Sequence, residues 1–209
     1  VTNNRIKGSV ELTKVDDGKP ASPLAGAEFE IQDAKTGKVV RSKLITGTDG
    51  KVSTGNLDIG SYQFVEKAAP KGYKLITTPL KFDVKDESKI ELRFVNEKLP
   101  GSLKLLKIET GKKDKGLEGA QFRLLDENQQ PLLDKNGKPY SIQTTDKDGL
   151  ILIPNLKAGT YFVEETKAPD GYLIDKKLIE FTITSEKETL VTVQNAREPL
   201  PGSLKLLKI

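Results

Sequence analysis

The stretch GSVELTKVD, Gly8–Asp16, alternates apolar and polar side chains with a period of two. Val10, Leu12 and Lys14 fall on one side, and Glu11, Thr13 and Val15 on the other. Successive side chains of an extended chain point to opposite faces, so this pattern predicts a half-buried β-strand. The stretch returns as GSLKLLKIE at Gly101–Glu109. Working outward, PLAGAEFEI (Pro23–Ile31) matches GLEGAQFRL (Gly116–Leu124), and the segment Thr46–Tyr73 matches Gln143–Tyr172. The closing ELRFVNEKLPG (Glu91–Gly101) matches VTVQNAREPLPG (Val191–Gly202). Internal repetition at this period means tandem copies of one unit of roughly 95–100 residues, the size of a β-sandwich domain.

The alternation recurs along each copy. Phe29 and Ile31 alternate with Glu28 and Glu30, Phe82 and Val84 with Lys81 and Asp83, and Phe181 and Ile183 with Glu180 and Thr182. Turn-forming DDGK, KTGK, TDGK, KNGK, KDG and PDG segments lie between such runs. No window carries a helical apolar stripe. The expected fold class is all-β: two tandem two-sheet sandwiches of about seven strands each. Residues 1–7 are read as the end of a preceding repeat or a linker, 8–99 as repeat one, 100–199 as repeat two, and 200–209 as a linker with the first strand of a third, truncated repeat. Asn3 precedes Gly8 as Asn96 precedes Gly101, and GSLKLLKI at Gly202–Ile209 repeats Gly101–Ile108. The Pro-containing EKLP and AREPLP stretches read as linkers, since Pro stops strand pairing from running on.

Composition removes whole classes of chemistry. The 209 residues contain no Cys and no His. Disulfides, thiolate nucleophiles, most zinc sites and most hydrolytic triads are therefore absent. Basic and acidic residues number 34 and 30 and are interleaved, which is a solvated mixed-charge surface. A nucleic-acid groove needs clustered cations with aromatic platforms, and none is visible. No run is long enough to span a membrane. The Asp146-Lys147-Asp148 turn lacks a calcium-loop pattern. No metal and no cofactor is expected.

Three residues in each copy violate the pattern. Lys14 continues the apolar face of Val10 and Leu12, Glu66 that of Tyr62 and Phe64, and Asn96 that of Ile90, Leu92 and Phe94. In the second copy Lys107, Glu165 and Asn195 do the same, and the Glu-to-Asn spacing is 30 residues in both. Glu164 is a rival for Glu165, but the register with Tyr161 favours Glu165. Burying one charged group is costly unless it is paired, so matched positions in both copies predict one buried cluster. Burial favours a neutral Lys and a neutral Glu. A neutral amine is a nucleophile, and a protonated acid can polarise the Asn side-chain carbonyl and shuttle protons. Attack on that carbonyl with loss of ammonia would leave an amide between the two side chains, with proximity supplied by folding.

The segments YQFVEKAAPKGY (Tyr62–Tyr73) and YFVEETKAPDGY (Tyr161–Tyr172) resemble the Tyr-x-Φ-x-Glu-x-x-Ala-Pro-x-Gly-Tyr box of Cna B-type domains, which occur in collagen adhesins and pilins of Gram-positive bacteria. The openings at Gly8 and Gly101 and the closings FVNEK and VQNAR are similar to the same family, so the resemblance covers nearly the whole chain. It implies a transthyretin-like, reversed-immunoglobulin sandwich. It also implies Lys14–Asn96 and Lys107–Asn195 isopeptide bonds between first and last strands, with Glu66 and Glu165 catalytic. The expected function is a structural stalk of a cell-wall-anchored surface adhesin, extracellular and monomeric. Neighbouring repeats are its partners, and any host-matrix ligand is bound through another region. A ligand-binding module and a pilin shaft are the alternatives. Leu99–Ser102 and Leu200–Ser203 lack the Thr-Gly of a sorting signal. A turnover enzyme is not expected, because such a cluster acts once on its own chain.

Overall fold

Alternating side chains make each strand two-faced, and the apolar face must be covered by a second sheet. The computed structural model describes residues 6–199 and Gly202, and it divides into two compact units, 1–99 and 100–209. Asn3 and, of the strand expected to open a third repeat, residues 203–209 lie outside the described residues.

Unit 1 contains β1 (Lys7–Asp16), β2 (Glu28–Asp33), β3 (Val39–Ile45), β4 (Lys51–Asp58), β5 (Gly60–Ala68), β6 (Leu80–Val84) and β7 (Lys89–Asn96). One sheet runs β4-β1-β7 and the other β3-β2-β5-β6. The first and last strands are parallel neighbours, with Lys14 opposite Phe94 and Asp16 opposite Asn96. Val10, Leu12, Phe29, Ile31, Leu57, Phe64 and Phe94 fill the space between the sheets. Phe29 meets Phe64 and Phe94 edge-on, with centroids 5.9 and 5.1 Å apart.

Unit 2 repeats the plan with β8 (Gly101–Glu109), β9 (Lys112–Gly116), β10 (Gln121–Leu125), β11 (Gln143–Thr144), β12 (Leu150–Leu156), β13 (Gly159–Lys167), β14 (Ile179–Ile183) and β15 (Glu188–Asn195). Its sheets are β12-β8-β15, with β9 added on β8, and β11-β10-β13-β14. The strand beyond seven is β9. Thr110 and Gly111, the latter at φ +78°, turn the chain back so that Glu109 pairs with Lys112.

Two glycines lock the backbone beside the pattern-breaking lysines. Gly50 (φ +73°) accepts from the Lys14 N–H at 2.7 Å, and Gly149 (φ +74°) accepts from the Lys107 N–H at 2.8 Å. A Cβ on either would come within 2.4 Å of the lysine carbonyl oxygen. Gly137 has a similar φ of +76° but faces open space. Gly149→Ala is therefore expected to destabilise unit 2 by about 3 kcal/mol or more, from a backbone clash added to left-handed strain. Gly137→Ala should cost only about 1 kcal/mol. Denaturant midpoints of the two variants decide between them.

Candidate functional site

Each sandwich buries one polar cluster between its sheets. In unit 1, Lys14 comes from β1 and Asn96 from β7 of one sheet, and Glu66 from β5 of the facing sheet. In unit 2 the same places are held by Lys107 on β8, Asn195 on β15 and Glu165 on β13. Lys14, Asn96 and Lys107 are 0% exposed, and none of the six exceeds 4%. The structure thus brings together all six residues singled out by their misplaced polarity. Glu164 lies on the opposite face, half-buried beside Arg123 at 3.6 Å, and takes no part.

The amines sit in surroundings that disfavour their charge. Lys14 Nζ lies 4.7 Å from the Phe94 ring centroid, and Lys107 Nζ 5.6 Å from that of Phe122. Desolvation pushes Lys14 down to about 8, against a partial upward pull from Glu66. Desolvation also lowers Lys107, opposed by Glu165.

The two clusters are not identical. In unit 1, Lys14 Nζ donates to Asn96 Oδ1 and stands 3.7 Å from Glu66 Oε1. The Asn96 amide nitrogen donates to both Glu66 oxygens, at 2.9 and 3.1 Å. In unit 2, Lys107 Nζ is 3.0 Å from Glu165 Oε1, an ion-pair distance without hydrogen-bond alignment. The Asn195 nitrogen donates to both Glu165 oxygens, at 3.0 and 3.1 Å, and to the Leu173 carbonyl at 2.7 Å. Lys107 Nζ and Asn195 Oδ1 lack hydrogen-bond partners among the described residues. Buried polar atoms without partners are costly, and in this unit the ion pair with Glu165 is what compensates the Lys107 amine.

The sequence reading puts the acid on the Asn carbonyl. The structure instead puts the carboxylate on the amide nitrogen, in both units. An ionised carboxylate only accepts hydrogen bonds, so it turns the NH2 toward itself, and in unit 1 this leaves Oδ1 to accept from Lys14.

Sequence reasoning missed three features. The loop after β5 reaches the cluster, where the Ile76 N–H donates to Glu66 at 2.8 Å. In unit 2 the Asp175 N–H donates to Glu165 at 3.0 Å. A second buried acid, Asp16 or Glu109, ends the first strand of each unit. The paired signal for it was Asp16 and Glu109 two residues past Lys14 and Lys107, on the same face. The outer sheet face of unit 2 presents Leu152 and Leu190 on either side of Lys104, 62% and 60% exposed. Leu150–Ile153 is apolar at every position, so alternation could not tell which members face water. The Asp146 carboxylate accepts from the Asp148 and Leu150 N–H groups at 2.9 and 2.8 Å, which is a turn.

Among solved structures the chain is similar to the Bacillus anthracis TIE protein, with 28% identity and a TM-score of 0.48 over 92% of this chain and 34% of that one. It is similar to a streptococcal ancillary pilin, with 26% identity and a TM-score of 0.44 over 93% of this chain and 63% of that one. It is also similar to GBS52, the minor pilin of Streptococcus agalactiae, with 18% identity and a TM-score of 0.45 over 95% of this chain and 100% of that one. The chain spans about a third of the length of the TIE protein that it matches. No curated protein matches it. Among the described residues, no helix is long and apolar enough to cross a membrane. The model of the SpaA prealbumin-like fold domain matches residues 8–98 and again 101–197. With both sandwiches covered by that match, the chain belongs to the SpaA prealbumin-like fold family, in two tandem copies.

Proposed function

We propose that the two units are structural stalk repeats of a cell-wall-anchored surface protein of a Gram-positive bacterium, each closed by a Lys–Asn isopeptide bond that it forms itself. The observation that carries this reading is the buried approach of an amine, a carboxylate and a carboxamide, in both copies, at the junction of first and last strands. The surface location rests on the family and on the resemblance of its Glu box to adhesin and pilin domains.

The reaction balances within each cluster. The lysine ammonium passes a proton to the adjacent carboxylate and becomes a neutral amine, the form that burial favours. The amine lone pair attacks Asn Cγ, and a Nζ–Cγ bond forms. The carboxyl, now protonated and already in contact with Nδ2, gives its proton to that nitrogen. The Cγ–Nδ2 bond breaks, ammonia leaves, and the carboxylate takes the extra proton from the new amide. Glu66 and Glu165 are the catalytic residues, and each cluster reacts once. The products are neutral, so the penalty for a buried ammonium disappears with the reaction.

Such a bond would change how a unit bears load. The chain enters at β1 and leaves after β7, and Lys14 and Asn96 lie toward the same end of these parallel strands. Force would run along β1, across the crosslink and out, leaving β2 to β6 outside its path. By analogy with a disulfide closing a long loop, the bond would add about 4–5 kcal/mol before strain, and it would not be reducible. Suppressed global opening should also resist proteolysis.

Intact mass spectrometry tests the proposal directly. The chain is expected to weigh its sequence mass less two ammonia molecules. Lys14→Met or Glu66→Ala should restore one of them, and Lys107→Met or Glu165→Ala the other. A parent chain at full sequence mass would overturn the reading.

A pH dependence follows for chains made unable to crosslink by Asn96→Ala. Burial holds the folded Lys14 at about 8 against an ordinary 10.5, so the native state binds fewer protons than the unfolded state between those values. Stability should therefore be lowest below about 8 and rise as pH climbs through 8 toward 10.5. Adding Lys14→Met should abolish the rise. Urea midpoints of unit 1 across this window provide the measurement.

A further inference from the structure

Each unit buries a second acid that the crosslinking chemistry does not use. Asp16 lies two residues beyond Lys14 and Glu109 two beyond Lys107, on the same strand face. They are only 3% and 5% exposed. In the parallel register Asp16 stands opposite Asn96, and Glu109 opposite Asn195. A carboxylate buried this deeply has to be held by partners.

Glu109 is held by two cations of β9 and by two residues, Tyr172 and Arg197, that lead to one place. Its Oε1 meets Lys112 Nζ at 2.8 Å and accepts from Arg197 Nε at 3.1 Å. Its Oε2 accepts from Lys115 Nζ at 3.0 Å and the Tyr172 hydroxyl at 2.8 Å. Lys112, Lys115, Arg197 and Tyr172 hold its carboxyl well below the usual carboxylate range. Arg197 also lies over the Tyr172 ring, 5.7 Å from its centroid.

Tyr172 and Arg197 are paired by a β-bridge. Around it, the Leu173 N–H donates to Ala196 O at 2.9 Å and the Glu198 N–H to Gly171 O at 3.0 Å. The loop that begins there runs straight into the cluster, since Leu173 O accepts from Asn195 Nδ2 and the Asp175 N–H donates to Glu165. Glu109 therefore ties the first strand, the loop and the segment after Asn195 into one closure.

Unit 1 builds the same closure with other chemistry. Tyr73 bridges Lys98, with Lys74 N–H to Glu97 O at 2.9 Å and Leu99 N–H to Gly72 O at 2.8 Å. Asp16 Oδ1 accepts from the Ser22 N–H at 2.6 Å and the Gly18 N–H at 3.1 Å, and Oδ2 is 3.5 Å from Lys98 Nζ. Burial raises the Tyr73 phenol, and the neighbouring Asp16 charge adds to the shift. Here the acid leans on backbone donors as much as on a cation.

We propose that Glu109, and Asp16 in the first unit, are positioning residues that latch the Gly-Tyr loop over the Lys–Glu–Asn cluster, so that crosslinking proceeds only when the latch is shut. This rests on the crosslinking reading above. The acid touches none of the reacting atoms. It acts by holding the loop that supplies an N–H to the catalytic carboxylate in both units and, in unit 2, accepts from the Asn amide.

The test uses full-length chains released from cell-free synthesis and sampled over time by intact mass. In a Lys14→Met chain only unit 2 can lose ammonia. Adding Glu109→Gln should slow that loss by about tenfold or more, because misplaced reacting groups lose their proximity advantage. Glu109→Asp, which keeps the carboxylate and copies unit 1, should recover to within about threefold of the parent. A chain with Glu109→Gln that crosslinks at the parent rate overturns the proposal, and so does a Glu109→Asp chain no faster than Glu109→Gln.

A second measurement does not depend on crosslinking. In a Lys107→Met chain, Glu109→Gln should speed amide hydrogen exchange at Leu173, Asp175 and Glu198 while the β8 amides stay protected. Unchanged exchange at those three positions sinks the latch. If instead the parent chain retains all its ammonia, the crosslinking reading fails, and the exchange comparison alone decides whether Glu109 holds the loop.

Discussion

A lysine side chain with no exposure, set among Leu and Phe, is the constraint around which each unit is organised. An ammonium cannot stay uncompensated in such a place, so the fold must bring it a carboxylate, lower its affinity for protons, or remove its charge by reaction. The lysine comes from the first strand, the carboxylate from the facing sheet and the amide from the last strand. Meeting the lysine's needs therefore fixes how the two sheets face each other. It also explains why the first and last strands must be neighbours.

Comparison of the two copies separates requirement from accident. Both keep the amine, the acid and the amide, the glycine over the lysine carbonyl, and the Gly-Tyr loop closing on the segment after Asn. Other features differ. Unit 1 packs Phe94 against its lysine, whereas unit 2 uses Phe122. On its solvent face unit 1 centres an ion-pair group on Glu11, with Lys51 at 3.0 Å and Lys89 at 3.1 Å. Unit 2 has Leu152 and Leu190 around Lys104 at the matching place. The interior of the sandwich is held to one solution by close packing, and its solvent face is free to diverge.

The strands and the reactive residues were readable for the same reason. With a period of two, a polar residue in phase with Val10 and Leu12 has to be buried, whatever the rest of the molecule does. Lys14, Glu66 and Asn96 each declared themselves locally, and the second copy ruled out coincidence. Asp16 and Glu109 were in phase as well. They lie at strand ends, however, where alternation gives way to turns and an acid usually caps a loop in water. Their burial depends on Tyr73, Tyr172, Lys98 and Arg197 folding back over them from far along the chain.

Taken alone, the sequence determined that this chain is two copies of one β-sandwich and that six polar side chains, three per copy, stand in phase with its apolar faces. Both follow from periodicity and repetition, which are properties of neighbours along the chain. Only the tertiary structure decided that the carboxylate holds the amide nitrogen rather than its oxygen, that Glu164 is turned away, and that a loop latched by a second acid closes over the cluster. These depend on directions and distances between groups from 30 to more than 80 positions apart, as with Asn96 on Glu66 and Lys14 on Asn96. No local pattern carries such information, because hydrogen-bond geometry is set only when the sheets have packed.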